Sequence, residues 1–147
     1  MKASSGLPEH RFGLRIYYED TDHGGVVYYA NYLKFMERAR TEYMRSHGIE
    51  LDELQQQAGV LFAVTEAHVH YRRPAHFNDA LHVLSTLSHA HGARLGFHQI
   101  VMRGDQVLVE GEINLACMDT QGRARRIPQA LLNIFGPVLP GNPAARK

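Results

Sequence analysis

Three acidic residues and two glycines stand close together in the stretch YYEDTDHGGVVYYANY, residues 17–32. An aspartate side chain is an anion near neutral pH. Asp22 could therefore attack a carbonyl carbon or take a proton from water. Gly24 and Gly25 permit a tight turn and a close approach of substrate to the backbone. This spacing predicts a reactive carboxylate at Asp22, while the alternative is a residue that only caps a helix or closes a turn.

A helical pattern begins directly after this stretch. The apolar residues fall at the spacing of one helix face, and they are Tyr32, Phe35, Met36, Ala39 and Tyr43. Backbone N–H groups at a helix start lack partners and carry a partial positive charge. Such groups can hold the negative oxygen that forms when a carbonyl is attacked. The sequence thus places a carboxylate just before a possible oxyanion site.

The elements around this stretch can be predicted from periodicity. Residues 11–19 alternate like a half-buried strand, and the long helix should run from about Tyr29 to Gly48, with one or two further helical turns at 50–57. Residues 60–71 also alternate, with a change of phase near 65–66 that predicts a bulge. Three further strands are predicted from Leu81, Val83 and Leu87, from Leu95, Phe97 and Val101, and from Val107, Val109, Ile113, Leu115 and Cys117.

Tight turns join the later strands. Turns are expected at residues 103–106 and 119–122, followed by a short edge strand at 123–127 and a small helix from Pro128 to Phe135. Short connections favour antiparallel neighbours. We therefore predict an α+β domain in which an antiparallel sheet of five to six strands curls round one long helix. Pairing through an edge strand would protect that edge and cover the sheet.

The composition sets limits on organisation and partners. The 147 residues suggest one domain at 10–138, with flexible tails at 1–9 and 139–147. A net charge of +1 and the lack of a basic stripe argue against a nucleic-acid partner. The single Cys117 excludes an intramolecular disulfide. The start of the chain does not resemble a signal peptide, and no apolar run could span a membrane. We expect a soluble, cytoplasmic protein.

Histidines raise the question of a metal site. Two pairs have one residue between them, His68 with His70 and His89 with His91. Zinc sites usually need three or four ligands, and nothing else clusters with these pairs in the sequence. We expect no metal. The serines and Cys117 also lack the context of a nucleophile elbow.

The opening stretch and the order of elements resemble the hotdog fold of the 4-hydroxybenzoyl-CoA thioesterase-like family. The branch most similar to this chain is that of bacterial acyl-CoA thioesterases encoded beside the Tol-Pal genes. The residues that carry the resemblance are Arg15 and Ile16, the run from Thr21 to Val27, Tyr29 and Tyr32, and the helix sequence ANYLKFMERARTEYMR. The resemblance extends over about residues 11–135 and is strongest at 15–48.

The resemblance implies roles for individual residues. Asp22 matches the catalytic aspartate, and the backbone amide of Tyr29 matches the oxyanion donor. Arg94 matches a basic residue that contacts the nucleotide of CoA. The residues that we expect to contact substrate are Gly25, Val27, Tyr28, Asn31, Tyr32, Phe62 and Arg94. Asn31 is also expected to cap or anchor the helix start.

Tyr29 departs from the Tol-Pal branch, many members of which have histidine there. A tyrosine phenol keeps its proton near neutral pH, so it cannot replace imidazole as a base. The hydroxybenzoyl-CoA branch has a similar tyrosine and uses the backbone amide. His23 is the alternative side chain for an assisting role, although neighbours on an extended segment point apart.

The resulting prediction is an acyl-CoA thioesterase that releases a carboxylic acid and free CoA. It needs no cofactor beyond the CoA of its substrate. The resemblance implies a site between two subunits, in a dimer or a tetramer. Alternatives are an aromatic, 4-hydroxybenzoyl-CoA-type thioesterase and a non-catalytic module that binds acyl carrier protein. A thioester dehydratase is disfavoured because the central helix has no histidine before His47.

Overall fold

A computed structural model describes residues 9–137 of the chain. The tails predicted to be flexible lie outside the described residues, apart from Glu9. In chain order the elements are β1 (His10–Arg15), a 3₁₀ turn (Tyr18–Asp20), α1 (Asn31–Ser46), α2 (Leu51–Ala58), β2 (Val60–Tyr71), β3 (Ala80–His91), β4 (Arg94–Arg103), β5 (Gln106–Asp119) and α3 (Gln129–Phe135). Within the described residues, no helix is long and apolar enough to cross a bilayer.

The strands form one antiparallel sheet in the order β1-β3-β4-β5-β2. The long strands β3, β4 and β5 are joined by short turns and occupy the middle. Strands β1 and β2 are therefore the two edges. This topology confirms the predicted α+β class and the predicted number of strands.

Helix α1 packs its apolar face against the concave side of the sheet. All five residues of the predicted stripe are at most 3% exposed, which confirms the helical periodicity: Tyr32, Phe35, Met36, Ala39 and Tyr43. Close packing needs a small residue beneath the helix at one point. A Cβ atom added to Gly111 on β5 would lie 3.2 Å from Cε of Met36. Glycine at this position lets the helix approach the sheet.

Two strands were predicted to be longer than they are. Strand β1 ends at Arg15, and Tyr18 lies in the 3₁₀ turn with 77% of its surface exposed. The backbone leaves the sheet there because Asp20 folds back and its carboxylate accepts the amide of Tyr17 at 2.8 Å. The predicted edge strand at 123–127 is reduced to one bridge, between Met118 and Ala124.

Other local predictions are confirmed. The register between β2 and β5 shifts between Val64 and Glu66, as the change of phase predicted. Gly104 and Gly122 have φ values of +59° and +83° in the two predicted turns. The small helix α3 follows Pro128 and ends at Phe135.

Candidate active site

The segment from Thr21 to Val27 is a tight turn that carries Asp22. The amide of Gly25 donates to the Asp22 carbonyl at 3.1 Å, and the Asp22 amide donates to the Val26 carbonyl at 2.9 Å. Thr21 pairs with Val27 as an isolated bridge. Gly25 has a φ of +83°, which favours glycine. The exposed Asp22 carboxylate is thus presented on a backbone that is fixed on both sides.

Asp22 does not cap the helix. Its Oδ1 accepts the Gly24 amide at 2.9 Å, which is an Asx turn inside the loop. The residue before α1 is Ala30, which makes no side-chain cap, and the first helical turn contains no acidic residue. The start of α1 therefore keeps its positive end open to an anion.

Asn31 anchors the loop to the helix. Its side-chain amide donates to the Asp20 carbonyl at 2.9 Å, and the Tyr28 amide donates to the same carbonyl at 3.1 Å. The prediction of an anchor is confirmed. The prediction of a cap was wrong, because Asn31 is itself the first helical residue and its side chain points back to the loop.

The backbone amide of Tyr29 is free. The amides of Asn31 and Tyr32 are used, since Asn31 donates to Tyr28 at 2.9 Å and Tyr32 donates to Tyr29 at 3.3 Å, whereas the amide of Ala30, like that of Tyr29, donates no hydrogen bond within residues 9–137. Within residues 9–137 the Tyr29 amide donates no hydrogen bond. Its side chain is 60% exposed. This geometry leaves an N–H group at the positive end of α1. The group can donate a hydrogen bond to a ligand oxygen.

Two surface cavities border these groups. The Asp22 cavity has a volume of about 520 Å³ and is lined by Tyr18, Thr21, Asp22, His23, Gly25 and Phe77. The Tyr29 cavity has a volume of about 220 Å³ and is lined by Val27, Tyr29, Tyr32, Tyr71, Arg72, Arg73 and Pro74. The structure therefore brings His23 and Gly25 beside Asp22, and Val27 and Tyr32 beside Tyr29.

The segment around Ala75 holds the wall of the Tyr29 cavity in place. The Ala75 amide donates to Oη of Tyr32 at 3.0 Å, and the Ala75 carbonyl accepts the Val27 amide at 2.8 Å. Burial raises the pKa of the Tyr32 phenol, although the hydrogen bond from Ala75 acts against the rise. The Tyr32 phenol is thus buried and accepts a hydrogen bond from the backbone that forms the cavity wall.

Four predicted contact residues line neither of these cavities: Tyr28, Asn31, Phe62 and Arg94. Phe62 lines a third cavity, beneath the C-terminal half of α1. Arg94 begins β4 and borders none of the three cavities. Tyr28 is 49% exposed and stacks on Tyr29, with ring centroids 5.1 Å apart.

Sequence reasoning missed several residues that the fold adds to the site. Tyr71 packs against the rings of Tyr29 and Tyr32 at 5.8 and 5.7 Å. Phe77 packs edge-on to Tyr18 at 5.2 Å in the Asp22 cavity. For Phe77, the signal available in the sequence was an aromatic residue in a predicted loop next to Pro74, Asn78 and Asp79.

The chain matches the Thioesterase-like superfamily over residues 17–135. An antiparallel sheet curled round one long helix, with an acidic turn before the helix start, is the hotdog fold of thioesterases. The chain belongs to this superfamily, which confirms the resemblance found in the sequence.

Individual relatives agree with this membership. The chain is similar to the acyl-CoA thioesterase YbgC of Haemophilus influenzae, with 41% identity over 108 residues, 74% of this chain and 79% of the relative. It is 36% identical to the acyl-CoA thioester hydrolase YbgC of Escherichia coli O6:H1 over 127 residues, 85% and 94% of the two chains. Among solved structures, a probable thioesterase from Bartonella henselae has a TM-score of 0.78 and 33% identity, covering 82% of this chain and all of its own.

Proposed function

We propose that this protein hydrolyses acyl-CoA thioesters to a carboxylic acid and free CoA. The observation that carries the proposal is the unbonded Tyr29 amide at the uncapped start of α1, in the same short segment as the exposed Asp22 carboxylate. The names of the YbgC relatives support the acyl-CoA substrate. Arg72 and Arg73 line the Tyr29 cavity and suit the phosphates of CoA.

The proposed reaction uses two groups of the chain. The Tyr29 amide binds the carbonyl oxygen as it gains negative charge. Asp22 either takes a proton from the water that attacks the thioester carbon, or attacks that carbon itself. In both cases the bond between carbon and sulfur then breaks, and the CoA thiolate leaves and gains a proton. In the second case an anhydride between Asp22 and the acyl group forms as the thiolate leaves, and water then hydrolyses it to the acid and the free carboxylate. Water and the carboxylate suffice for this reaction, so we propose no resident cofactor.

A second copy of the chain completes the proposed enzyme. Strand β2 is an edge of the sheet, and its residues from Val64 to His68 are exposed. An unpaired edge of this length is normally protected. Two copies related by a two-fold axis would pair β2 antiparallel to itself. We propose a homodimer with this interface.

Kinetics of the purified protein test the proposed function. Hydrolysis of a panel of short, long and aromatic acyl-CoAs is followed by release of the free thiol. Asp22→Asn should lower kcat by roughly 10²- to 10⁴-fold, because it removes the base or nucleophile and preserves the size of the side chain. The Asn side chain can still accept the Gly24 amide, so the turn should keep its shape.

Glu19→Gln is the matched control, since Glu19 is an exposed acid three residues earlier in the same segment. It should leave kcat within about three-fold of wild type. Full hydrolysis by Asp22→Asn would disprove the role of Asp22. A wild-type protein that hydrolyses no acyl-CoA but binds acyl carrier protein would instead be a binding module.

A further inference from the structure

The cavity that contains Phe62 lies between the C-terminal half of α1 and the sheet, apart from Asp22. Its volume is about 230 Å³. Most of its lining is apolar, and the full lining is Glu37, Arg40, Thr41, Met44, Leu51, Phe62, Val64, Leu95, Phe97 and Leu115. We call it the Arg40 cavity. Its volume is below the roughly 300–1,000 Å³ of sites for drug-sized ligands. The cavity therefore suits a ligand with only a short carbon chain.

Arg40 is a buried cation without an anionic partner. Only 9% of its surface is exposed. Nη1 donates to Oε1 of Gln99 at 3.1 Å, which is a neutral acceptor. Within residues 9–137, Arg40 forms no salt bridge. The other guanidinium nitrogens donate no hydrogen bond in this part of the chain, and neither is fully buried.

Gln99 fixes the position of this guanidinium. Gln99 is completely buried, and its Nε2 donates to the Met36 carbonyl at 3.0 Å and to Oγ of Ser85 at 2.9 Å. Its oxygen is therefore turned towards Arg40. The network holds Arg40, which lines the cavity, through one of its guanidinium donors, and the remaining donors have no partner among residues 9–137.

The charge of Arg40 makes an anionic ligand favourable. A buried ion without a partner is unfavourable because it loses hydration. Burial lowers the pKa of the Arg40 guanidinium, and the charge of Glu37 acts against this change. An arginine nevertheless stays protonated in proteins. Glu37 is exposed at the cavity and is not paired with Arg40, so a carboxylate that enters the cavity would supply the missing partner.

The proposed dimer connects this cavity with the reactive segment. Phe62 and Val64 are in the first half of β2, whereas Tyr71, at its end, packs on Tyr29. Antiparallel pairing of two β2 strands sets the first half of one against the second half of the other. If the two-fold axis passes near the middle of β2, the proposed dimer sets the Arg40 cavity of one subunit beside the start of α1 in its partner.

We propose that the Arg40 cavity receives the far end of the acyl group, and that Arg40 binds a carboxylate carried there. The preferred substrates would then be CoA monothioesters of short dicarboxylic acids. Arg40 acts as a specificity-determining residue, since two N–H groups of a planar guanidinium can bind the two oxygens of one carboxylate. This inference rests on the proposed hydrolysis and on the proposed dimer.

Adipoyl-CoA and hexanoyl-CoA form the test pair, because both chains have six carbons and only one ends in a carboxylate. Wild type should have the higher kcat/KM for adipoyl-CoA. Arg40→Gln should lower the ratio of the two kcat/KM values by at least about ten-fold, since a charge-assisted hydrogen bond is lost. Arg38→Gln, on the exposed face of α1, should leave the ratio unchanged. A wild-type preference for hexanoyl-CoA, or equal losses for both substrates in Arg40→Gln, would overturn the inference.

Binding of the free acids provides a measurement that does not depend on hydrolysis or on the folding of Arg40→Gln. Adipate should raise the melting temperature of wild type and of Asp22→Asn, while hexanoate at the same concentration should raise it less. No protection by adipate would overturn the inference. If the protein hydrolyses hexanoyl-CoA but adipate does not raise its melting temperature, the proposed hydrolysis stands and only the carboxylate site fails. The failure of this inference can therefore be distinguished from the failure of the proposed function.

Discussion

The two oxygens of the Asp22 carboxylate have different surroundings: one is bonded within the turn and the other is free to react. Oδ1 accepts the Gly24 amide at 2.9 Å and so fixes the side chain in the turn. Within the described residues, Oδ2 accepts no hydrogen bond. A turn residue and a reactive residue are therefore compatible at this position. Gly25 serves the turn itself, through its φ of +83°, because a Cβ atom added there would meet nothing within 4 Å.

Tyr29 should act through its backbone and not through its phenol. Tyr29→Phe keeps the amide and should change kcat/KM by less than about three-fold. Tyr29→Pro removes the N–H group and should lower kcat by roughly 10²- to 10³-fold, the usual cost of losing one oxyanion donor. Steady-state kinetics on a common acyl-CoA measure both values.

Folding must be separated from catalysis in this comparison, because proline also restricts Tyr28 before it. Both variants should therefore be melted alongside wild type. Proline is well tolerated at helix starts, so we expect a folded protein. A large loss in Tyr29→Phe would show that the phenol takes part. High activity in a folded Tyr29→Pro would exclude the amide as the donor.

At the scale of elements, the connection between β2 and β3 is held by Asp79. Its Oδ2 accepts the His76 amide at 2.8 Å and Nη1 of Arg103 at 2.7 Å. Burial would raise the pKa of the Asp79 carboxyl, but the hydrogen bonds from His76 and Arg103 outweigh burial and lower it. This anchor fixes the loop that supplies Phe77 to the Asp22 cavity.

Arg103→Met should destabilise the protein in a way that depends on pH. A carboxyl whose pKa is lowered by folding contributes stability above its unfolded pKa, and loses that contribution as pH falls through its folded pKa. The variant should therefore lower the free energy of unfolding by about 1 kcal/mol near pH 7. The difference should shrink below about pH 4. Urea denaturation across this range measures it.

Arg38→Met is the control for this experiment, since Arg38 is exposed and forms no salt bridge within residues 9–137. Its free energy of unfolding should stay within about 0.5 kcal/mol of wild type at every pH. A loss in Arg103→Met that is equally large at low and neutral pH would show that Arg103 stabilises by packing or by its hydrogen bonds to Pro74 and Gln106 rather than through Asp79.

Local patterns in the sequence predicted most of the elements, because strand and helix periods depend on burial of one face. The bulge near Val64 was visible as a change of phase, and the turn at Asp22 as a pair of glycines. Contacts between distant segments were not visible. Asp79 meets Arg103, and Tyr71 meets Tyr29, only after the strands have paired.

Arg40 shows a second reason for such failures. It lies four residues after Met36 and three before Tyr43, so helical spacing alone places it on the buried face. Its charge argues for the solvent side, since arginine is rarely buried without a partner, and the two signals conflict. The buried Gln99 that holds it is on β4, far away in the chain. A charged residue on the apolar face of a helix, such as Arg40, is thus harder to interpret from sequence than a residue that follows the apolar pattern.

At the scale of the whole molecule, β2 should form the dimer interface and thereby complete the site. Ala67 is exposed on β2, opposite Ile113 of β5. Ala67→Arg should block the approach of a second β2 strand while disturbing the single chain little. Light scattering should show the mass of one chain instead of two, and kcat/KM should fall at least about 100-fold because the acyl site is split.

Arg11→Ala, on the opposite edge strand β1, is the control and should stay dimeric and active. A monomeric Ala67→Arg with full activity would mean that one chain holds the whole site.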